Sequence, residues 1–400
     1  MFLVKITFPA FIIMFGDKQG YGQEIIGLNE IRGITRNQYG AGIQNWAITQ
    51  DVNNRLYVAN NEGLLIFNGT NWQILPVPNK TILRSIAFDK YGKLYAGAQD
   101  ELGYFAPDNA GKLQYTSLKD LLPDSAKKFA DVWELEVVGN DVFFRTDPII
   151  FKLTGQKFTS YPSSSKWLSL HQYQGKAIAH EKDRGLFIYQ NNTWQPFIGE
   201  TSLPPGFFIT DIKPGSGDTC LLSTTKNGLY LLVQNKLAPF KLIASDFNAS
   251  QHFTSLSWVD DSSFLAGTYF NGAYRITRQG KILENISTKN GLPNNTVRCI
   301  FTNKNGNSWI GLDNGIVFFA CNNPIKHINP AAFNNGAGYS AKTVGGNIYF
   351  ALSTGLQWLP LSSAADLSSI TAKPKLLLSG LTWNLSVLDN QLLVGRDDGF

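Results

Sequence analysis

Charged side chains make up only 16% of the 400 residues, against about 25% in an ordinary soluble domain. Formal net charge is +5, and the basic residues are scattered rather than gathered into a stripe, so no nucleic-acid footprint is present. Three cysteines cannot build a disulfide framework, and no pair has the spacing of a zinc or redox motif. Cys220, Cys299 and Cys321 are expected to be inert buried thiols. The four histidines, at 171, 180, 252 and 327, lack a metal-binding spacing such as HExxH, although His171 and His180 flank a hairpin turn and could face one another. There is no Gly-x-Ser-x-Gly elbow, phosphate-cradling loop or dinucleotide fingerprint. The acidic pairs Asp260-Asp261 and Asp397-Asp398 sit in turns, where an aspartate is explained by bonding to its own backbone. No catalytic residue, cofactor or metal site is therefore assigned. What the chain does have is 37 glycines, 13% aromatics and 43% hydrophobic residues, a β-rich composition that can bury a large core and is not that of a disordered chain.

Residues 1–22 read as a secretory signal peptide. Lys5 supplies the positive charge, Ile6 to Phe15 is apolar, and Gly20-Tyr21-Gly22 places small residues before Gln23. That run is shorter than the roughly 20 residues needed to span a bilayer, and no later segment reaches that length.

A turn containing glycine followed by a short apolar strand recurs along the chain, as in Asn60-Asn61-Glu62-Gly63-Leu64-Leu65-Ile66-Phe67 and Asp183-Arg184-Gly185-Leu186-Phe187-Ile188-Tyr189. Glycines 63, 103, 185, 228, 272, 315, 355 and 399 mark it, with a degenerate copy at Asp147-Pro148 filling the one double interval. A period of about 42 residues made only of strands is the signature of a β-propeller blade. Each unit divides into four antiparallel strands. A hairpin such as Ser85 to Gly97 precedes the glycine turn, and an outer strand carrying an aromatic, Trp72 or Trp194, follows it. The glycine closing the second strand, Gly97 or Gly311, is expected to leave with positive φ. Residues 118–128 have helical spacing and are expected as a short helix or loop on one face. The fold class is thus all-β: a propeller of four-stranded blades, seven of them over residues 23–335, with an incomplete second propeller over 336–400. The chain stops inside a repeat, as a fragment would.

The stretch Asn290-Gly291-Leu292-Pro293-Asn294-Asn295-Thr296-Val297-Arg298-Cys299-Ile300, continuing through Ser308-Trp309-Ile310-Gly311-Leu312-Asp313-Asn314-Gly315-Ile316, resembles the two-component regulator propeller repeat. Other units match less well, with Tyr57, Tyr95 or Phe143 in place of Trp309. The run Tyr39-Gly40-Ala41-Gly42-Ile43-Gln44-Asn45-Trp46 is similar to the opening of propeller sensors in Bacteroidetes-type regulators. The resemblance implies a periplasmic sensor region. In such proteins a second propeller, a triple-tyrosine β-sandwich, an inner-membrane helix and an output follow, the output being a LuxR-type helix-turn-helix or a histidine kinase. It also implies a homodimer in the full-length protein, and no direct nucleic-acid contact by this region.

Aligning the units places Trp46, Arg84, Trp133, Arg298 and Trp383 two residues before an apolar residue of each first strand: Ile48, Ile86, Leu135, Ile300 and Leu385. First strands line a propeller's channel, so these side chains would ring one mouth, with Trp383 in a second ring if seven blades close. Trp faces stack on sugar rings and Arg offers a planar fork to hydroxyls or carboxylates, which makes an oligosaccharide or another polar small ligand the expected partner. The alternative is that they only fill and cap the channel. Three functions stay open: an extracytoplasmic ligand-sensing module of a membrane-spanning regulator, a secreted carbohydrate-active propeller enzyme, and a non-catalytic interaction scaffold.

Overall fold

The computed structural model describes residues 29–243, 251–326, 336–361 and 374–399. The signal-peptide segment, His327 and Phe400 lie outside the described residues. Two compact units divide the chain near residue 327.

In the larger unit the apolar strands pair into seven four-stranded antiparallel sheets. Six are built from consecutive strands, with innermost strands Asn45–Gln50, Leu83–Phe88, Glu134–Val138, Trp167–Tyr173, Ile209–Pro214 and Phe253–Trp258. The seventh combines Val297–Thr302, Ser308–Leu312 and Ile316–Phe319 with Ile31–Ile34 from the other end of the unit, Ile31 opposite Phe319 and Ile34 opposite Ile316. Each innermost strand contacts the next, and Val297–Thr302 contacts Asn45–Gln50, so the ring closes on itself. This is a seven-bladed β-propeller, and the closing strand removes the free edge that its last blade would present.

The core lies between blades rather than within them. Tyr57, Ala59 and Leu64 of the first blade pack with Ile86, Leu94 and Phe105 of the second, and Phe143 and Ile150 of the third with Leu170, Ala179 and Phe187 of the fourth. Trp72 stacks on Phe67, their ring centres 4.7 Å apart, and Trp194 packs on Phe143 and Tyr189. Residues 118–128 form two 3-10 turns, Lys119–Leu121 and Asp124–Ala126. The other unit repeats the blade pattern, with a sheet of Gly338–Val344, Asn347–Leu352, Gly355–Pro360 and Lys375–Ser379, and a hairpin of Thr382–Leu388 and Gln391–Arg396.

Glycine acts in two ways here. Gly272 has φ of +71°, and a Cβ on it would sit 2.0 Å from the carbonyl oxygen of Ile286 on the fourth strand. Gly97 and Gly311 differ from the sequence expectation, because neither has positive φ. They are needed for close approach: a Cβ on Gly311 would lie 2.5 Å from Cys299 Sγ and 2.9 Å from the Asn45 carbonyl of the neighbouring blade. Gly272→Ala combines a left-handed backbone, costing roughly 1–2 kcal/mol, with a collision against backbone, so its denaturation midpoint should fall by the equivalent of about 3 kcal/mol. An unchanged midpoint in guanidinium would show that the strands can part there without cost.

Candidate site at the mouth of the channel

In six blades the first strand carries the same irregularity. Its register slips by one residue between Asn45 and Ala47, Leu83 and Ser85, Trp167 and Ser169, Ile209 and Asp211, Phe253 and Ser255, and Val297 and Cys299. The bulged residues are Trp46, Arg84, Leu168, Thr210, Thr254 and Arg298. In the third blade Trp133 takes the equivalent place immediately before its strand, its N–H donating to the Arg145 carbonyl at 3.0 Å. A bulge leaves one residue out of the ladder and re-aims its side chain. All seven of these side chains line one depression of about 470 Å³, within the usual size range of small-molecule clefts.

Four of the five residues proposed from sequence therefore meet. Trp383 does not join them: it belongs to the hairpin of the other unit, half-exposed, with its ring centre 5.0 Å from that of Tyr339. It and Tyr339 occupy the same bulged position in their own strands. Leu168, Thr210 and Thr254 were missed because an aromatic or arginine was being sought. The register alone, two residues before Leu170, Ile212 and Leu256, would have found them.

The mouth is asymmetric. Over blades seven, one, two and three, Arg298, Trp46, Arg84 and Trp133 alternate. The Arg298 guanidinium lies 4.7 Å from the centre of Trp46, and that of Arg84 lies 4.1 Å from Trp46 and 4.6 Å from Trp133. Cation–π contacts of this kind contribute about 0.5–2 kcal/mol each. The ladder is tied from behind. Trp46 Nε1 donates to Asn61 Oδ1 at 2.8 Å, Asn61 Nδ2 to Gln44 Oε1 at 3.1 Å, and Gln44 Nε2 to Asp313 Oδ1 at 2.5 Å. Asp313 in turn accepts from Nε and Nη2 of Arg298 at 3.1 and 2.8 Å. Blades four to six place Leu168, Thr210 and Thr254 at this position, with Lys166, Phe208, Thr225 and Tyr269 beside them.

The cations here are matched by carboxylates. Arg84 pairs with Asp131 at 2.9 Å, Lys166 with Asp147 at 2.8 Å, and buried Arg145 with Glu134 and Asp147. With two guanidinium groups against it, the π-surface of Trp46 is largely committed, and the fork of Arg298 is occupied by Asp313. Trp133, 36% exposed and with one guanidinium against it, is the indole with a face to offer. The arrangement can hold a polar molecule by hydrogen bonds and one aromatic face, with little net charge for a highly ionic one.

Asp260 and Asp398, among the remaining sequence candidates, have local partners. Asp260 accepts from the backbone N–H groups of Ser262 and Ser263, and Asp398 pairs with Arg396. His171 and His180 are not opposite each other: His171 pairs across the sheet with Ile178 and His180 with Ser169. Burial pushes the Cys299 and Cys321 thiols up to about 12, and all three cysteines are free. Among the described residues no cluster of His, Cys, Asp and Glu is suited to a metal ion, and no helix is long and apolar enough to cross a membrane.

No protein-family model matches the chain, and no curated protein does. Solved structures do. The extracellular domain of BT4673 from B. thetaiotaomicron, described both as a one-component and as a hybrid two-component system, is matched over 92% of this chain at 16% identity and a TM-score of 0.59. This chain spans about half of that domain, 51% of its length. Virginiamycin B lyase from Staphylococcus aureus is matched over 72% of this chain and 98% of its own, at 13% identity and a TM-score of 0.56. The WD40 propeller domain of Doa1 is matched over 74% of this chain and 97% of its own, at 11% identity and a TM-score of 0.55. At these identities the likeness establishes the class: a β-propeller protein, of a fold used by sensors, enzymes and scaffolds alike.

Proposed function

We propose that the chain is the extracytoplasmic ligand-sensing propeller module of a membrane-anchored signalling protein, and that it binds an oligosaccharide or similar polar small molecule at the channel mouth without transforming it. The observation that carries this reading is the convergence of one side chain from each of seven blades, six of them re-aimed by a bulge, on a single depression. Its Arg–Trp wall is held in place before any ligand arrives, so little ordering entropy remains to be lost on binding. The export signal read in the sequence and the likeness to an extracellular sensor domain support the location. The paired state of the mouth's carboxylates favours binding over acid–base chemistry, since a carboxylate held by a cation is a weak base.

The test is binding of a panel of disaccharides by calorimetry. Truncating Arg84 to Ala removes the cation between Trp46 and Trp133 together with an ion pair, and should weaken a bound disaccharide at least tenfold, about 1.4 kcal/mol. Trp133→Ala should do the same. Unchanged affinity in both variants would exclude the mouth as the site. The likeness to virginiamycin B lyase favours an enzyme as the second reading, and release of an unsaturated product from any panel member would establish it.

A further inference from the structure

In three first strands the residue immediately after the bulge links its blade to the next through its side chain. Ser85 Oγ donates to the Val132 carbonyl at 3.1 Å, Asp211 accepts from Leu256 N–H at 2.8 Å, and Ser255 Oγ accepts from Ile300 N–H at 3.0 Å. Ser340 does the same to Leu385 N–H in the other unit, at 3.3 Å. The fourth blade lacks this link, as does the first, where Ala47 stands in the same place. Ser169 stands in the linking position, 1% exposed, yet its Oγ has no hydrogen-bond partner. Two residues along the same strand and on the same side, His171 is 7% exposed and its Nε2 also has none. Buried polar atoms in folded proteins are nearly always satisfied, and two orphans side by side call for a guest that completes them.

The surroundings say what kind. Glu134 of the third blade and Asp211 and Lys213 of the fifth act electrostatically on His171, and Lys213 and Asp211 act on Glu136. Blades three and five flank blade four, and Glu134, Glu136, His171, Asp211 and Lys213 all stand on the innermost strands of their blades. Asp211 is held by Lys213 at 2.8 Å and Glu134 by Arg145. Burial lowers His171 from the usual histidine value and raises Glu136 to about 8, so that both are largely uncharged near pH 7. Burial also works against charge on Lys213, but the Asp211 carboxylate outweighs it and the ammonium is kept.

We infer that the channel wall at the fourth blade is a hydroxyl-recognising subsite, in which an uncharged sugar bound at the mouth hydrogen-bonds one hydroxyl to His171 Nε2 and a second to Ser169 Oγ. Residues two apart on one side of a strand are about 7 Å apart, a span that one hydroxylated ring can cover. The inference rests on the mouth being the ligand site and adds to it the choice of neutral over acidic sugars.

The chain has four histidines, so imidazole nitrogen spectra of the ¹⁵N-histidine-labelled full chain can be assigned with His171→Gln. The probes are cellobiose, xylobiose, maltose and galactobiose, with digalacturonate as the acidic counterpart. A neutral disaccharide should shift the His171 Nε2 signal, and His171→Ala and Ser169→Ala should each weaken it at least fivefold, with unchanged circular dichroism. If a disaccharide binds and is lost in Arg84→Ala, but leaves the His171 signal in wild-type protein untouched, the subsite is wrong and the mouth stands. Binding of digalacturonate in preference to every neutral probe, or of no neutral probe at all, overturns the inference outright. The spectral readout uses wild-type protein and does not depend on either variant folding.

Discussion

Replacing Arg145 by Met should lower the stability of the larger unit by about 3 kcal/mol, toward the low end of what breaking a buried ion pair costs. Arg145 ends the second strand of the third blade, where its side chain is only 4% exposed. It serves three acceptors: Glu134 on its own blade, Asp147 at 3.0 Å, and the backbone carbonyl of Trp167 on the fourth blade at 3.0 Å. Methionine keeps most of the volume, so the loss reports the hydrogen bonds rather than a cavity. The low end applies because Glu134 and Asp147 are 30% and 41% exposed and water can reach them once the guanidinium is gone. Arg145→Lys should recover less than half of the loss, since an ammonium cannot span all three acceptors with a planar fork. A guanidinium titration of the three proteins decides it, and equal midpoints for wild type and Arg145→Met would mean the pair contributes nothing net.

Closure of the ring is expected to be as sensitive. Ile31–Ile34 supplies the outer strand of the seventh blade, covering Ile316 and Phe319, both fully buried. Neighbouring residues of an antiparallel strand alternate between ladder-bonded and outward N–H groups. Prolines placed together at Arg32 and Gly33 must therefore delete a ladder bond whichever of the two carries it. Losing the strand would uncover the equivalent of about two apolar side chains at about 1.5–3 kcal/mol each, a fall of about 4 kcal/mol. It would also leave an open edge ready to pair with another copy. Thermal melting with light scattering reads both effects, and an unshifted midpoint with no new oligomer would show that the ring holds without its closing strand.

Much of this architecture was legible beforehand because a propeller is periodic. Gly63, Gly185, Gly272 and Gly315 repeat because every blade makes the same turn in the same place, and each does have positive φ. The positions of Trp46, Arg84 and Arg298 were readable for the same reason, since a shared distance to the apolar residue of the first strand transmits a shared direction. What escaped was whatever breaks the period. Arg145 reaches the mouth from a second strand, in the blade whose Asp147-Pro148 turn departs from the pattern. Ile31–Ile34 joins a blade more than 260 residues later in the chain, and no local signal marks a strand's distant partner. The roles of Gly97 and Gly311 were misread because sequence shows that a side chain is missing, not what would have struck it.

Residue types and their spacing, taken alone, determined the all-β class, the blade as the unit and the positions that face the channel, because alternation and turn chemistry are local properties. Tertiary structure alone decided that the wall of the mouth is an alternating Arg–Trp ladder with its charges already paired. The same holds for Ser169 Oγ and His171 Nε2, which are left buried without hydrogen-bond partners. Those are relations among side chains from different blades, and closure of the ring, not proximity in sequence, brings them within a few ångströms.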